Sequence, residues 1–294
     1  MNKKKKVNYH IDKLILVYKI PEDFMAHVMN SVESPDFMMP SFPKVFIFSR
    51  KYISINYTCP IFILEYRDTN GNIVKIAEFR NDIVNAITLT VDNKLFYCGN
   101  LNLLYEFEAM YNLELHKIIQ LDIACDSNIN LPKKLNDFMH RPDCTIKRMG
   151  TKLPATEKGN QILGTKVLPN IKTINDREVA KPSFYFQLWT SGNRRPLIYR
   201  GYNKTREIFE KSHKTYIEEA NGFDDVIYRF EVSILGGDLK RRSKKDPNLT
   251  FENVYRHLED KVFLKELFIK YINRIANLWI DNRRYRISEI LHLE

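Results

Sequence analysis

The chain has 294 residues, 44% of them apolar, which is enough to bury a core and too much for a disordered chain. It carries 46 Lys and Arg against 36 Asp and Glu, a formal charge of +10. That balance excludes an acidic solvating chain and suits a polyanionic partner, with a basic but inert surface as the plain alternative. The 18 Phe, 16 Tyr and 2 Trp are interleaved with the cations, and aromatic faces beside cations accept unstacked bases.

In chain order, the basic start Lys3 to Lys6 is either a solvated tail or a DNA contact. The apolar run that follows, Leu14 to Tyr18, is too short for a signal peptide or a membrane span. Period and β-branched or aromatic content predict strands at 10–18, 45–56, 60–67, 73–79, 87–91, 116–126, 183–190, 196–203 and 226–235. Helices are expected at 21–33, 100–113, 131–139 and 205–220, with a long one at 251–281. The last carries Val254, Leu258, Val262, Phe268, Ile272, Ile275 and Trp279 at helical spacing. "RDTNGNIV" and "WTSGNRRPLIY" read as hairpin turns. The stretch 146–183 mixes Gly, Pro, Thr and Lys and reads as a long basic loop, and "KRRSKKDPN" (240–248) as a second one. The fold class is therefore α+β, an antiparallel sheet with flanking helices and a helical C-terminal region. The expected boundary separates a body at 1–240 from a region at 241–294.

The cysteines, Cys59, Cys98, Cys125 and Cys144, show neither zinc spacing nor a dense framework, which points to a reducing, cytoplasmic compartment. There is no phosphate loop, dinucleotide fingerprint, close histidine pair or nucleophile elbow. Any chemistry therefore falls to carboxylates, Tyr, Lys and Arg.

Side chains alternate across a strand. In "KIIQLDIACDS", Gln120, Asp122, Ala124 and Asp126 share a face, and in "VIYRFEVSIL" Arg229, Glu231 and Ser233 do. In "LIYRGYNK" the shared face carries Arg200, Tyr202 and Lys204. Each polar face could be the solvated side of a half-buried sheet. It could also be a site: strand carboxylates are hard ligands for Mg²⁺ or Mn²⁺. A tyrosine between cations suits attack on a phosphodiester, where both phenolate and pentacoordinate phosphorus carry negative charge.

The ordered stretches "HIDKL", "LDIACD", "YRGYNKTRE" and "YRFEVSIL" resemble the Rep_trans class of rolling-circle replication initiators over roughly residues 10 to 240. The resemblance implies a nicking-joining enzyme of the His-hydrophobic-His (HUH) endonuclease-like type in which carboxylates replace the metal-binding histidines. It implies Tyr202 as nucleophile and Glu207 as the acidic residue that follows it. Arg200, Lys204 and Arg229 would hold phosphate or offset charge, and a subset of Asp12, Asp122, Asp126 and Glu231 would bind Mg²⁺ or Mn²⁺. Tyr228 stands where the class commonly has Trp. The implied product is a 5′-phosphotyrosyl link at an origin, single-stranded or in a hairpin. A host helicase and polymerase are the implied partners, with no membrane, and a homodimer is an admissible assembly. The alternatives are a non-catalytic DNA-binding plasmid-control protein and a relaxase or transposase relative with the same chemistry.

Asp122 and Asp126 share a face but are four residues apart, about 13 Å along a strand at ~3.3 Å per residue, too far for short side chains to converge on one ion. Asp122 is the expected direct ligand. Asp126, beside the "SNIN" turn, is expected to cap that turn or to bind a nearby hydroxyl.

Overall fold

The computed structural model describes residues 4–33, 45–51, 59–139, 141–148, 151–152, 184–188, 197–223, 226–274 and 277–294. Residues 52–56, 153–183 and 189–196, to which sequence assigned a strand end, most of a loop and a hairpin turn, lie outside this set, as does Ile275. The chain divides into two compact units, Asp12–Leu121, and Met1–Ile11 with Asp122–Glu294. Residues 241–294 belong to the same unit as the tyrosine motif, so the division does not fall at the expected 240/241 boundary. Strands β1 (Val7–Lys19) and β6 (Glu114–Ser127) each contribute residues to both units.

The unit Asp12–Leu121 contains helix α1 (Phe24–Glu33) and strands β2 (Val45–Lys51), β3 (Ile61–Arg67), β4 (Ile73–Ile83) and β5 (Ala86–Val91), followed by helices α2 (Lys94–Cys98) and α3 (Asn102–Met110). The strands lie in the order β2-β3-β4-β5-β1, every neighbouring pair antiparallel. The β3–β4 turn forms as expected. Asp68 accepts from the backbone N–H of Asn70 and Asn72, both at 2.8 Å, and Gly71 supplies φ +83°. The core is aromatic. Phe24 of α1 packs its ring 6.4, 6.2 and 6.2 Å from those of Phe48, Phe79 and Phe107, and Phe62 stacks on Phe79 at 5.3 Å.

The other unit contains α4 (Leu131–Met139), β7 (Thr145–Arg148), β8 (Thr151–Lys152), β9 (Phe184–Leu188), β10 (Leu197–Asn203), α5 (Lys204–Glu207), a π-turn (Ile208–Ser212), α6 (Tyr216–Asn221), β11 (Tyr228–Leu235) and α7 (Gly236–Ser243). A 3₁₀ turn (Pro247–Leu249), α8 (Phe251–Arg256), α9 (Lys261–Ile272), β12 (Asn277–Ile280), β13 (Arg283–Tyr285) and α10 (Ile287–Leu291) complete it. Strands β6-β11-β10-β9 are neighbours in one sheet, and β13-β12-β7-β8 form a second.

Three expectations for this unit change. The helix expected at 251–281 is two helices and a strand. Thr250 caps α8, and Asp260 caps α9 by accepting from the N–H of Val262 and Phe263 at 2.8 and 3.1 Å. Asp281 and Asn282, both at positive φ, then turn β12 into β13, so Trp279 belongs to a strand. The helix expected at 205–220 is broken by the π-turn and by His213 at φ +53°. The basic stretch at 240–248 is not a loop throughout, because α7 runs to Ser243 with Asp238 pairing to Arg241 and Arg242 one turn on. Among the described residues no helix is long and apolar enough to cross a membrane.

Candidate active site

Strand β10 pairs with β11 antiparallel, which sets Arg200 opposite Glu231 and Tyr202 opposite Arg229. The alternation read from sequence is correct, but the polar rows of β11 and of the end of β6 are buried, and only that of β10 stays partly exposed. Phe230, Val232 and Ile234 are buried on one side of β11, and Arg229, Glu231 and Ser233 on the other. On β6, Asp122, Ala124 and Asp126 are buried as fully as Ile123 and Cys125. Ring contact between Phe230 and Phe268 seats α9 on the apolar face. Asn221, at the end of α6, reaches the polar face. Burying a polar row costs several kcal/mol per unpartnered group, so its members must satisfy one another.

They do so in two groups. In the first, Glu231, 1% exposed, accepts from Arg200 Nη1 at 2.6 Å on Oε1 and from Tyr202 Oη at 3.1 Å on Oε2. Arg200 remains 36% exposed, so its guanidinium joins the buried carboxylate to the surface. Lys204 lies beside them with Nζ 5.8 Å from the centroid of the Tyr202 ring, and donates to Glu207 at 2.6 Å. Glu207 also accepts from Ser212 Oγ at 3.2 Å, which ties the π-turn to α5. Local chain chemistry fixes this corner. Asn203 caps α5 by accepting from Arg206 N at 2.9 Å, and the N–H of Lys204 donates to Ile227 O at 2.7 Å.

In the second group, the Arg229 guanidinium grips both oxygens of Asp126 at 2.7 Å, with neither side chain exposed. Asn221 Nδ2 donates to the same carboxylate at 2.9 Å, and Asn8 donates to Asn221 Oδ1 at 3.2 Å. His10 adjoins this group. Its pKa is lowered to about 4, first by burial and then by Lys261, whose Nζ lies 3.3 Å from Nδ1. Asp122 stands apart and accepts from Ser233 Oγ. The step of four residues from Asp122 to Asp126 is matched by the reverse step from Ser233 to Arg229, as antiparallel neighbours require.

Of the residues singled out from sequence, Arg200, Tyr202, Lys204, Glu207 and Glu231 thus form one corner. Arg229 is not presented for phosphate in this arrangement, since its guanidinium is buried and bound by Asp126. Asp122, expected as the direct metal ligand, binds instead the kind of hydroxyl expected of Asp126. Asp126 binds Arg229 and Asn221 and caps nothing. The turn is held by Ser127 and Asn130, which accept from the N–H of Ile129 and Lys133. Asp12 is half-buried in β1 and belongs to the unit Asp12–Leu121.

Two of the four carboxylates read as metal ligands, Glu231 and Asp126, are already engaged by cations as arranged. Both oxygens of Glu231 and both of Asp126 already serve donors, a guanidinium among them in each case, and like charge opposes a cation there. Among the described residues no three His, Cys, Asp or Glu side chains are grouped to hold a metal ion. Asn221 and Ser212 were not singled out from sequence, and His10 only as the first residue of "HIDKL", without a role. No local pattern marks Asn221, whose partner Asp126 lies on another element. A further tyrosine, Tyr199, is 1% exposed and donates to Tyr271 O at 3.0 Å, and burial pushes its phenol pKa up. No family model matches the chain, and no curated protein matches it in sequence.

Proposed function

We propose that the protein is a DNA nicking-joining enzyme of the rolling-circle initiator type, with Tyr202 as nucleophile. One observation carries this reading: the Tyr202 hydroxyl donates at 3.1 Å to a buried carboxylate, that of Glu231, whose other oxygen is held by the partly exposed Arg200. In this reading Glu231 takes the phenolic proton as the oxygen attacks phosphorus, and Arg200 and Lys204 supply positive charge as negative charge develops there. The new P–O bond forms to Tyr202 and the bond to O3′ breaks. The leaving O3′ takes a proton from solvent, and the strand's 5′-phosphate stays on the tyrosine. Attack by a 3′-hydroxyl reverses the step, so joining needs no ATP. The divalent cation is carried by the motif resemblance alone.

A second reading, a DNA-binding protein without catalysis, is favoured by the completeness of the Arg200–Glu231–Tyr202 contacts, which also serve as cross-strand support. One assay separates the two. The protein is incubated with a randomised single-stranded oligonucleotide library labelled at the 3′ end, with Mg²⁺, Mn²⁺ or EDTA, and run on a denaturing gel. The enzyme leaves label on the protein, Tyr202→Phe leaves none while retaining DNA binding, and a 5′-labelled library leaves none. Binding without any adduct would establish the second reading.

A further inference from the structure

Asp238, in the first turn of α7, has no exposed side-chain surface, yet three guanidinium groups close on it. Arg241 donates to Oδ1, while Arg242 Nε and Arg274 Nη1 reach Oδ2 at 3.0 and 2.8 Å. The Arg242 and Arg274 guanidiniums also lie 5.8 and 5.2 Å from the centroid of the Tyr271 ring. Tyr271 is tied to β10 through its carbonyl, which accepts from Tyr199 Oη.

One carboxylate offsets one of three cations. Arg241 and Arg242 stay 53% and 32% exposed, and Lys240, Lys244 and Lys245 are exposed on the same stretch. The next carboxylate, Asp246, is held by Lys270. The surface therefore carries a positive excess, part of it on guanidiniums already fixed in orientation. Fixed planar forks lose little freedom on binding phosphate oxygens two at a time.

We propose that α7 together with Arg274 is a docking surface for the phosphodiester backbone of DNA. The proposal rests on the DNA-directed function above and adds a second contact to it. Tyr199 and Tyr202 are three residues apart in one strand and so project from opposite faces of β10. The phosphates held at α7 are therefore not the scissile one.

The test is fluorescence anisotropy of the full chain with random-sequence duplex and single-stranded oligonucleotides, over salt from about 50 to 200 mM. Arg241→Gln with Arg242→Gln should lower the slope of log K against log salt by between about 1 and 2 on the strand form that docks there, at ~0.9 for each phosphate no longer neutralised on duplex and ~0.7 on single strands. Arg241→Lys with Arg242→Lys should restore it. Lys240→Gln, Lys244→Gln and Lys245→Gln, which leave the Asp238 ion pairs intact, should lower it as well and cover the case in which the arginine variant fails to fold. A fall confined to duplex, or to single strands, names the form bound. Wild-type slopes in folded variants would overturn the proposal, as would absence of binding by the wild type. The 3′-label adduct is read in the same samples at saturating DNA. Its absence from wild type despite a lowered slope in the variants would sink the nicking reading and leave the docking surface standing.

Discussion

Arg229 and Asp126 form an ion pair with no exposed surface on either side chain. A charge of that kind is tolerated only with its partner, and removing one leaves the other desolvated and uncompensated. Asp126→Ala should therefore cost about 3–5 kcal/mol in urea unfolding, and the double change Asp126→Leu with Arg229→Met should recover most of it. A loss under about 1 kcal/mol in the single variant would mean that the pair is open to water. His10 gives the group a pH dependence. Its folded-state pKa of about 4 lies below the ordinary 6.5, so protons bind the unfolded chain preferentially. Stability is full above pH 6.5 and falls as pH drops towards 4, by up to about 3 kcal/mol. His10→Gln should flatten that part of the unfolding profile, and an unchanged fall would place the titration elsewhere. Sequence parity put Asp122 and Asp126 on one face correctly. It could not say which would meet Ser233 and which Arg229, because register between β6 and β11 is a tertiary fact.

Among elements, those bounded by strong local signals were legible. The β3–β4 hairpin with its Asx turn and Gly71 was one, and helix α4, matched at both ends, was another. The long C-terminal helix failed because continuous apolar spacing outweighed two shorter signals that were present, Asp260 before an apolar run and Asp281-Asn282 between short β-prone segments. Asp260→Ala should cost about 1 kcal/mol, since two N–H groups at the start of α9 lose their acceptor. Thermal unfolding that does not change would show that α9 needs no separate start. The break after α5 was not legible. Its π-turn is tied back to α5 by the Ser212 hydroxyl on Glu207, a contact that no period reveals.

For the whole molecule, composition anticipated a folded chain and the pattern of strands and helices an α+β one, and the two units bear that out. The division did not show in the sequence, because the chain leaves one unit after Ile11 and returns to it at Asp122, and only long-range pairing joins those segments. The tyrosine corner is drawn from one stretch of that unit, with Arg200, Tyr202, Lys204 and Glu207 in eight consecutive residues and Glu231 on the next strand. That locality is why most of the corner could be read from the sequence, while Glu231 as the acceptor of the Tyr202 hydrogen bond could not. The central claim is that Tyr202 is the attacking group. Peptide mapping by mass spectrometry of the adduct formed with single-stranded DNA tests it most directly. The account predicts a 5′-phosphonucleotide on Tyr202, and a nucleotide on Tyr199, on Tyr216 or on no tyrosine at all would contradict it.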